Sequence, residues 1–299
     1  MTRIAYCLLV HKNPKQVGRL IRNIYCSSDF FYVNVFGNNF TKEYWKKELK
    51  EFESDNFFVV YKYEKAWGTF QLVNAILDAM KKYACFDYNY FINLSGQCYP
   101  LKSIDSIKKV LHSKNLAYME FFKIPSATAW GTRGGLERLE YSYYENPFFT
   151  LRDILLKKML GSSKYDKRRL IRLPRINRRI PYGLEPYGGS MWFCLTKKHV
   201  DYILEYLKNK PALLDFFRRT LIPDELLFQT IIMNSPLKDT VLNDNLRYID
   251  WSKKGVPLPA ILTVDDADNL LNSPKLFARK FDIESDEAVL DLIDCQKDN

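Results

Sequence analysis

Residues 3–37 read RIAYCLLVHKNPKQVGRLIRNIYCSSDFFYVNVFG, and this stretch decides the fold class. A short apolar run, IAYCLLVH, gives way to the helical pattern NPKQVGRLIRNIY and then to a second apolar run, FFYVNVFG. The alternation continues outward through TKEYWKKELKEF, NFFVVY, TFQLVNAILDAMKKY and YNYFINLSG. Strands separated by helices of this length predict βαβ units and a mainly parallel sheet flanked by helices, an α/β architecture of nucleotide-binding type. Ligands in such sheets lie beyond the carboxyl ends of the strands. The loops after Val10, Gly37 and Leu94 are therefore the first candidates, and they bring His11, Ser95 and Gly96 forward. Past AYMEFF (117–122) the pattern weakens into Gly-, Arg- and Tyr-rich sequence, read as an insertion at about 123–185. Regularity returns with GSMWFCLT, KKHVDYILEYLK, IPDELLFQTIIMN, LRYIDW and KLFARKFD, followed by an acidic amphipathic helix at the C-terminus. With no repeat, linker or second core in view, residues 1–299 are expected to form one domain.

Composition narrows the classes. The chain is 47% hydrophobic, enough for a sizeable core, and has neither an apolar run of membrane-spanning length nor a signal-like leader before Arg3, so a cytoplasmic protein is expected. Six cysteines without CxxC spacing and three scattered histidines, His11, His112 and His199, form no metal-ligand motif and are read as structural. The formal charge is +10, and residues 151–180, with eleven basic side chains against Asp153 and Asp166, hold nine of those ten charges. Such a block is solvated surface, or it meets an anionic membrane, a phosphorylated ligand or nucleic acid. The aromatics, 15% of the chain, lie mostly in apolar strands and no nucleic-acid motif appears, so a basic nucleic-acid-binding module is the less favoured alternative.

IPDELLFQTIIMN (222–234) puts two carboxylates in front of an apolar run. Pro223 suits a first helical turn, and acids there meet unpaired N–H groups and the positive end of the helix dipole. Glu225 also shares a helical face with Phe228, Gln229 and Ile232, which predicts a half-buried carboxylate with a raised pKa, able to act as a general base near neutral pH. Taken alone, the stretch favours the structural role over the catalytic one.

Read in order, NLSGQCYPLKS (93–103), GSMWFCLT, PDELLFQT, LRYIDW and LFARKFD resemble glycosyltransferase family 14, which holds the core-2/I-branching β-1,6-N-acetylglucosaminyltransferases and the peptide O-xylosyltransferases. CLLVHKNPKQVGRLIRNIY and KAWGTFQLVNAIL resemble it too. The resemblance covers about residues 3–122 and 186–294 and stops at the insertion. It implies a GT-A-type fold, a nucleotide-sugar donor, a glycan or other hydroxyl acceptor and inversion at the anomeric carbon. It assigns Glu225 as catalytic base, with Asp224 supporting the turn and the acceptor side. Lys280 would contact the donor diphosphate, Trp251 the acceptor and, more loosely, Glu120 the acceptor as well. Trp67 and Gly68 of AWGTF would flank the donor beside His11, Ser95 and Gly96.

Many GT-A enzymes neutralise the departing diphosphate with a metal held by a DxD motif after a strand, but here YNYFINL runs into Ser95, Gly96, Gln97 and Cys98, none a hard carboxylate. Asp266 and Asp268 spell DxD within TVDDADNLL, which reads as a helix start. Fixed cations can serve instead, so no metal cofactor is expected and Arg279 with Lys280 is the natural pair, Lys280 the stronger since alternation along a strand parts the two. Three positions depart from the family pattern. Gly37 or Asn38 stands where relatives carry an Asp facing the uracil, Cys98 replaces an Asp, and Ala260 replaces a diphosphate-binding Arg. A catalytically inactive sugar-binding relative therefore stays open beside the enzyme. The leading expectation is a metal-independent inverting enzyme using a UDP-sugar in bacterial surface polysaccharide synthesis. Residues 151–180 would hold it peripherally on the inner face of the cell membrane, near a lipid-linked acceptor.

Overall fold

In the computed structural model, which describes residues 2–37, 40–62, 67–145, 170–173 and 178–297, the opening apolar run forms strand β1 (Ile4–Val10). All seven residues are buried, as an apolar strand without alternation requires when helices cover both faces of its sheet. Helix α1 (Pro14–Ile24) turns Val17, Leu20, Ile21 and Ile24 onto that sheet. Each such fully buried side chain stabilises the fold by about 1.5–3 kcal/mol. The alternation continues as β2 (Phe30–Phe36), α2 (Lys42–Leu49), β3 (Phe57–Lys62), α3 (Gln71–Lys82) and β4 (Tyr90–Ser95).

Seven strands make the main sheet, in the order Val241–Leu242, Ala117–Met119, Phe193–Thr196, β4, β1, β2, β3. Phe193–Thr196 runs antiparallel to both neighbours and every other pairing is parallel. This is the mixed, mainly parallel α/β architecture expected. The chain leaves β1 on one side through β2 and β3 and returns on the other with β4, so β1 and β4 flank the point where strand order reverses. In an open sheet of this kind, the crevice expected to take a ligand lies at that point, beyond the carboxyl ends of the strands.

Directly after β4 the chain turns at Gly96–Gln97 into Cys98–Pro100, the edge of a separate three-stranded sheet with Phe277–Arg279 and Arg247–Ile249. Arg279 lies opposite Cys98 in that pairing. The two C-terminal motifs thus return to the carboxyl end of β4. Helix α4 (Ile104–Lys114), started by Ser103, whose Oγ accepts from Ser106 N at 3.4 Å, was not among the predicted elements.

The stretch 222–234 departs from the single helix expected. Pro223–Glu225 is a 3₁₀ turn, Leu226 lies outside helical space at φ −133°, and the α-helix spans Leu227–Met233. Gly189 N donates to Glu225 O at 3.0 Å, taking the carbonyl that a continuous helix would have paired with Gln229 N. Asp224 does not cap this turn. It is the residue that faces inward.

The insertion is closed at its base by antiparallel pairing of Phe122–Lys123 with Tyr187–Gly188. Inside it lie helix α5 (Leu136–Glu140) and a strand pair, Ser142–Glu145 with Leu170–Leu173. Most of the basic block, residues 151–169 and 174–177, falls outside the described residues, and with it the amphipathic membrane-lying reading. One of its cations has a defined place: Arg178 donates to the carbonyls of Leu139, Tyr141, Phe216 and Arg219 and stacks 4.2 Å over Phe216, tying the insertion to the helix Pro211–Arg218. No helix among the described residues is long and apolar enough to cross a membrane.

Candidate active site

The turn after β4 builds one wall of the crevice. A Cβ on Gly96 would lie 2.8 Å from Val17 Cγ2, so only glycine lets the turn pack on α1. Gln16 then locks it: its Nε2 donates to Gly96 O at 2.7 Å and Phe281 O at 3.2 Å, and its Oε1 accepts from Ile283 N at 2.7 Å. Ser95 Oγ accepts from Gln97 N at 3.2 Å. Gly96 and Ser95 thus shape the wall, which also fixes where Arg279 and Lys280 emerge.

His11, Lys12, Arg279 and Lys280 gather here with Asp282 among them. Asp282 receives Lys12 Nζ at 2.5 Å and Asn13 Nδ2 at 2.8 Å. Burial first, then the charges of Arg279 and Lys12, lower the pKa of Lys280, with Asp282 acting against them. Lys280 makes no ion pair among the described residues. His11 is lowered by burial and then by Lys12, Lys280 and Arg279. Cations that depress one another in a half-buried crevice favour an anion, whose arrival relieves their repulsion. Arg279 is more enclosed: its guanidinium sits 4.7 Å from the Trp192 ring centre, its Nε has no hydrogen-bond partner, and burial lowers its pKa. The residue opposite is the thiol of Cys98, so the family's usual Asp is absent from the place where it would have offset Arg279.

Facing the cations is an acidic cluster. Asp224 has its pKa pushed up to about 7 by burial and then by Glu225; it is 1% exposed and its Oδ1 has no hydrogen-bond partner. So enclosed, it offers an acceptor little open surface. Glu225 carries the open carboxylate, its side chain 28% exposed and its Oε2 2.7 Å from Arg138 Nη1. Glu120, held by Asn245 Nδ2 at 2.8 Å, has a raised pKa, through burial first and the charge of Glu225 among the rest. Glu225 also acts electrostatically on Arg279. The base candidate thus lies within electrostatic reach of Arg279.

The two candidate indoles are exposed. Trp67 is 68% exposed, and Gly68, at φ 76°, accepts through its carbonyl from Ile222 N at 3.3 Å, joining the AWGTF loop to the Pro223–Glu225 turn. Beside this junction a polar cavity of about 240 Å³ opens between Gly68, Thr69, Asn74, Tyr143, Arg218 and Thr220. Trp251 is 59% exposed on the loop after Arg247–Ile249, far too open to be a core residue. His199, by contrast, is buried between Thr196 Oγ1 and Thr240 Oγ1, and burial lowers its pKa to about 4, a structural histidine. Asp266 of the DxD is taken up by a capping box with Thr263 and by Lys253 Nζ at 2.7 Å. Among the described residues no group of three or more His, Cys, Asp or Glu could hold a metal ion.

Sequence reasoning missed Lys12, Trp130, Arg138 and Trp192. Lys12 stood beside a candidate, and its position after β1 could have signalled it. Arg138 is 87 residues from Glu225 in an insertion without pattern, and nothing local points to it.

A family model described as Core-2/I-Branching enzyme matches residues 4–268. The chain belongs to that family. Among similar proteins, xylosyltransferase 2 of Rattus norvegicus is 29% identical over 98% of this chain and 33% of its own length, and xylosyltransferase 1 of the same organism is 28% identical over 84% and 28%. Xylosyltransferase 2 of Homo sapiens is 29% identical over 98% and 33%. The chain therefore spans about a third of the length of these relatives. A crystal structure of residues 1–349 of TarS from S. aureus superposes over 82% of this chain and 58% of that one, with a TM-score of 0.38 and 10% identity.

Proposed function

We propose that the protein is an inverting glycosyltransferase that moves a sugar from a nucleotide-sugar donor, a UDP-sugar foremost, to a hydroxyl of a glycan acceptor without a metal. The observation that carries this reading is the open carboxylate of Glu225 within electrostatic reach of Arg279, whose neighbours Lys280, Lys12 and His11 form one cationic group. In the reaction the acceptor oxygen bonds to the anomeric carbon as the bond to the diphosphate oxygen breaks. The hydroxyl proton passes to Glu225 and the electron pair leaves with the diphosphate, whose charge Lys280 and Arg279 meet. Glu120 and Trp251 suit the acceptor side, the carboxylate for hydroxyls and the indole for the apolar face of a sugar. His11, Trp67 and the Ser95–Gly96 turn suit the donor side. The names of the relatives favour xylose, with N-acetylglucosamine and hexoses as further donors.

A thermal-shift screen with nucleotides and nucleotide sugars tests this, since a ligand of the folded form raises its melting temperature by mass action. A UDP-sugar is expected to stabilise the protein and to be turned over in excess EDTA. Stabilisation without turnover by any acceptor would indicate an inactive sugar-binding relative. Activity lost in EDTA and restored by manganese would refute metal independence, and strongly salt-dependent binding of RNA or DNA without any nucleotide-sugar shift would refute the enzyme.

A place in bacterial surface polysaccharide synthesis, in the cytoplasm and on a lipid-linked acceptor, belongs to the same proposal. Cations of residues 151–180 would hold the inner membrane face at about 1 kcal/mol each. The protein is then expected to pellet with anionic but not zwitterionic vesicles and to be released by salt. Replacing Lys167, Arg168, Arg169 and Arg172 with Gln should abolish pelleting; unchanged pelleting would remove this part of the proposal.

A further inference from the structure

We propose that Arg138 decides which of the two adjacent carboxyls in the Pro223–Glu225 turn is ionised, keeping Glu225 as the charged, acceptor-facing base and leaving the proton on Asp224. The inference rests on the reading of Glu225 as the base and gives the insertion a part in the chemistry: Arg138 is a positioning residue, acting through Glu225 rather than on the sugar.

Asp224 and Glu225 are neighbours in one turn, and Glu120 is close enough for Glu225 to act on it electrostatically. Three carboxyls crowded in a half-buried crevice do not all ionise cheaply, so protons distribute among them according to their surroundings. The groups that face Glu225 are Asp224 on its own turn, Glu120 beyond Ala117–Met119, Arg279 at the end of Phe277–Arg279, and Arg138 on α5. The three carboxyls differ plainly in their surroundings. Asp224 is enclosed, with an unpartnered Oδ1, and its charged form lacks solvation. Glu120 has a neutral amide, Asn245, as its hydrogen-bond donor. Glu225 receives the Arg138 guanidinium directly, at 2.7 Å, whereas Asp224 feels that charge only through space.

That guanidinium is anchored. The Arg138 side chain is 14% exposed and its Cζ lies 3.5 Å from the centre of the Trp130 ring. Trp130, at φ 61°, is wedged edge-on against Phe122 with centroids 4.8 Å apart. Two glycines make room for its ring: a Cβ on Gly135 would lie 2.7 Å from it and a Cβ on Gly188 2.5 Å. Gly188 sits in the strand pair that closes the insertion, and the next residue, Gly189, hydrogen-bonds Glu225 O. One packed unit therefore fixes both the backbone of the base and the cation on its carboxylate. Most exposed ion pairs bring little because both side chains must be ordered for the contact. Here the ring has already ordered the arginine.

The test compares the pH dependence of kcat/KM for the acceptor in the parent chain, Arg138→Met, Arg138→Gln, Arg138→Lys and Glu225→Gln, with donor affinity measured alongside. The neutral variants are expected to move the acid limb upward by about one pH unit or more, the effect of removing an arginine from a carboxylate. Their deficit is then large at pH 6 and shrinks toward pH 8–9, while donor affinity holds. Arg138→Lys keeps the charge and brings the limb most of the way back. A merely structural arginine would lower activity equally at every pH, and a limb that stays in place in folded Arg138→Met or Arg138→Gln overturns the inference. If both neutral variants fail to fold, infrared difference spectra of the parent protein decide. A protonated-carboxyl band at pH 7 that disappears in Asp224→Asn but persists in Glu225→Gln supports the assignment, and the reverse pattern overturns it. Loss of turnover in Glu225→Gln separates the two proposals: where that loss is absent, the base reading itself falls.

Discussion

Replacing Glu225 with Gln is expected to lower turnover by about 10²- to 10⁴-fold at neutral pH while donor affinity changes little. The amide nearly matches the carboxylate in shape and still accepts a hydrogen bond, but it does not take up the proton of the acceptor hydroxyl. Effects on chemistry and on binding should separate for this reason: in the proposed reaction the diphosphate is met by Arg279 and Lys280, whereas the carboxylate is carried by the separate Pro223–Glu225 turn. Asp224 is the rival. Were it the base, Glu225→Gln would be mild and Asp224→Asn the lethal change, yet Asp224 is 1% exposed whereas the Glu225 side chain is 28% exposed. Near-normal turnover by Glu225→Gln, measured as initial rates with saturating donor, would remove Glu225 from the mechanism.

The parallel half of the fold was legible because its signals are local. A buried strand announces itself as an uninterrupted apolar run, and the strand–helix alternation of residues 3–95 leaves few other solutions. The reversal point beside β1 followed from the same pattern, which is what put His11, Ser95 and Gly96 among the candidates. Position did not reveal role, however. Gly96 is glycine because Val17 leaves no space for a Cβ, and Ser95 holds a turn. The carboxylates were legible as a pair, and Glu225 is partly buried, its side chain 28% exposed, but the full burial of Asp224 was not foreseen. Helical periodicity placed Glu225 on a continuous helix, whereas Gly189 N, 36 positions away in the chain, takes the Glu225 carbonyl and residues 223–225 form a separate 3₁₀ turn with Asp224 buried. Arg138 illustrates the remaining limit: its meaning depends on Trp130, two glycines and a strand pair that closes only in three dimensions. No window of sequence contains that arrangement.

The leaving-group side yields the second large effect. Lys280→Ala is expected to weaken nucleoside-diphosphate binding by about 1.5–3 kcal/mol, roughly 10- to 150-fold in Kd, the worth of a charge-assisted hydrogen bond. Lys280 has no ion pair to lose among the described residues, so its charge is available to a ligand, unlike that of Lys12, which is engaged with Asp282. Its lowered pKa adds a pH signature. A lysine is charged below its pKa and loses that charge as pH rises through it, and a depressed value brings the loss to lower pH than for an ordinary lysine. In the parent chain, diphosphate affinity should therefore decline on the way into the alkaline range. A bound dianion favours the charged lysine and pushes this decline to higher pH in the complex than the free protein's pKa alone would give. Lys280→Arg, whose charge does not titrate, should keep most of the affinity and flatten the decline, and Lys280→Ala should flatten it at a weaker Kd. Calorimetric titration with UDP across pH 7–10 reads both effects. Unchanged Kd in Lys280→Ala, or a decline that persists in Lys280→Arg, would move the diphosphate away from Lys280 and toward Arg279 and His11.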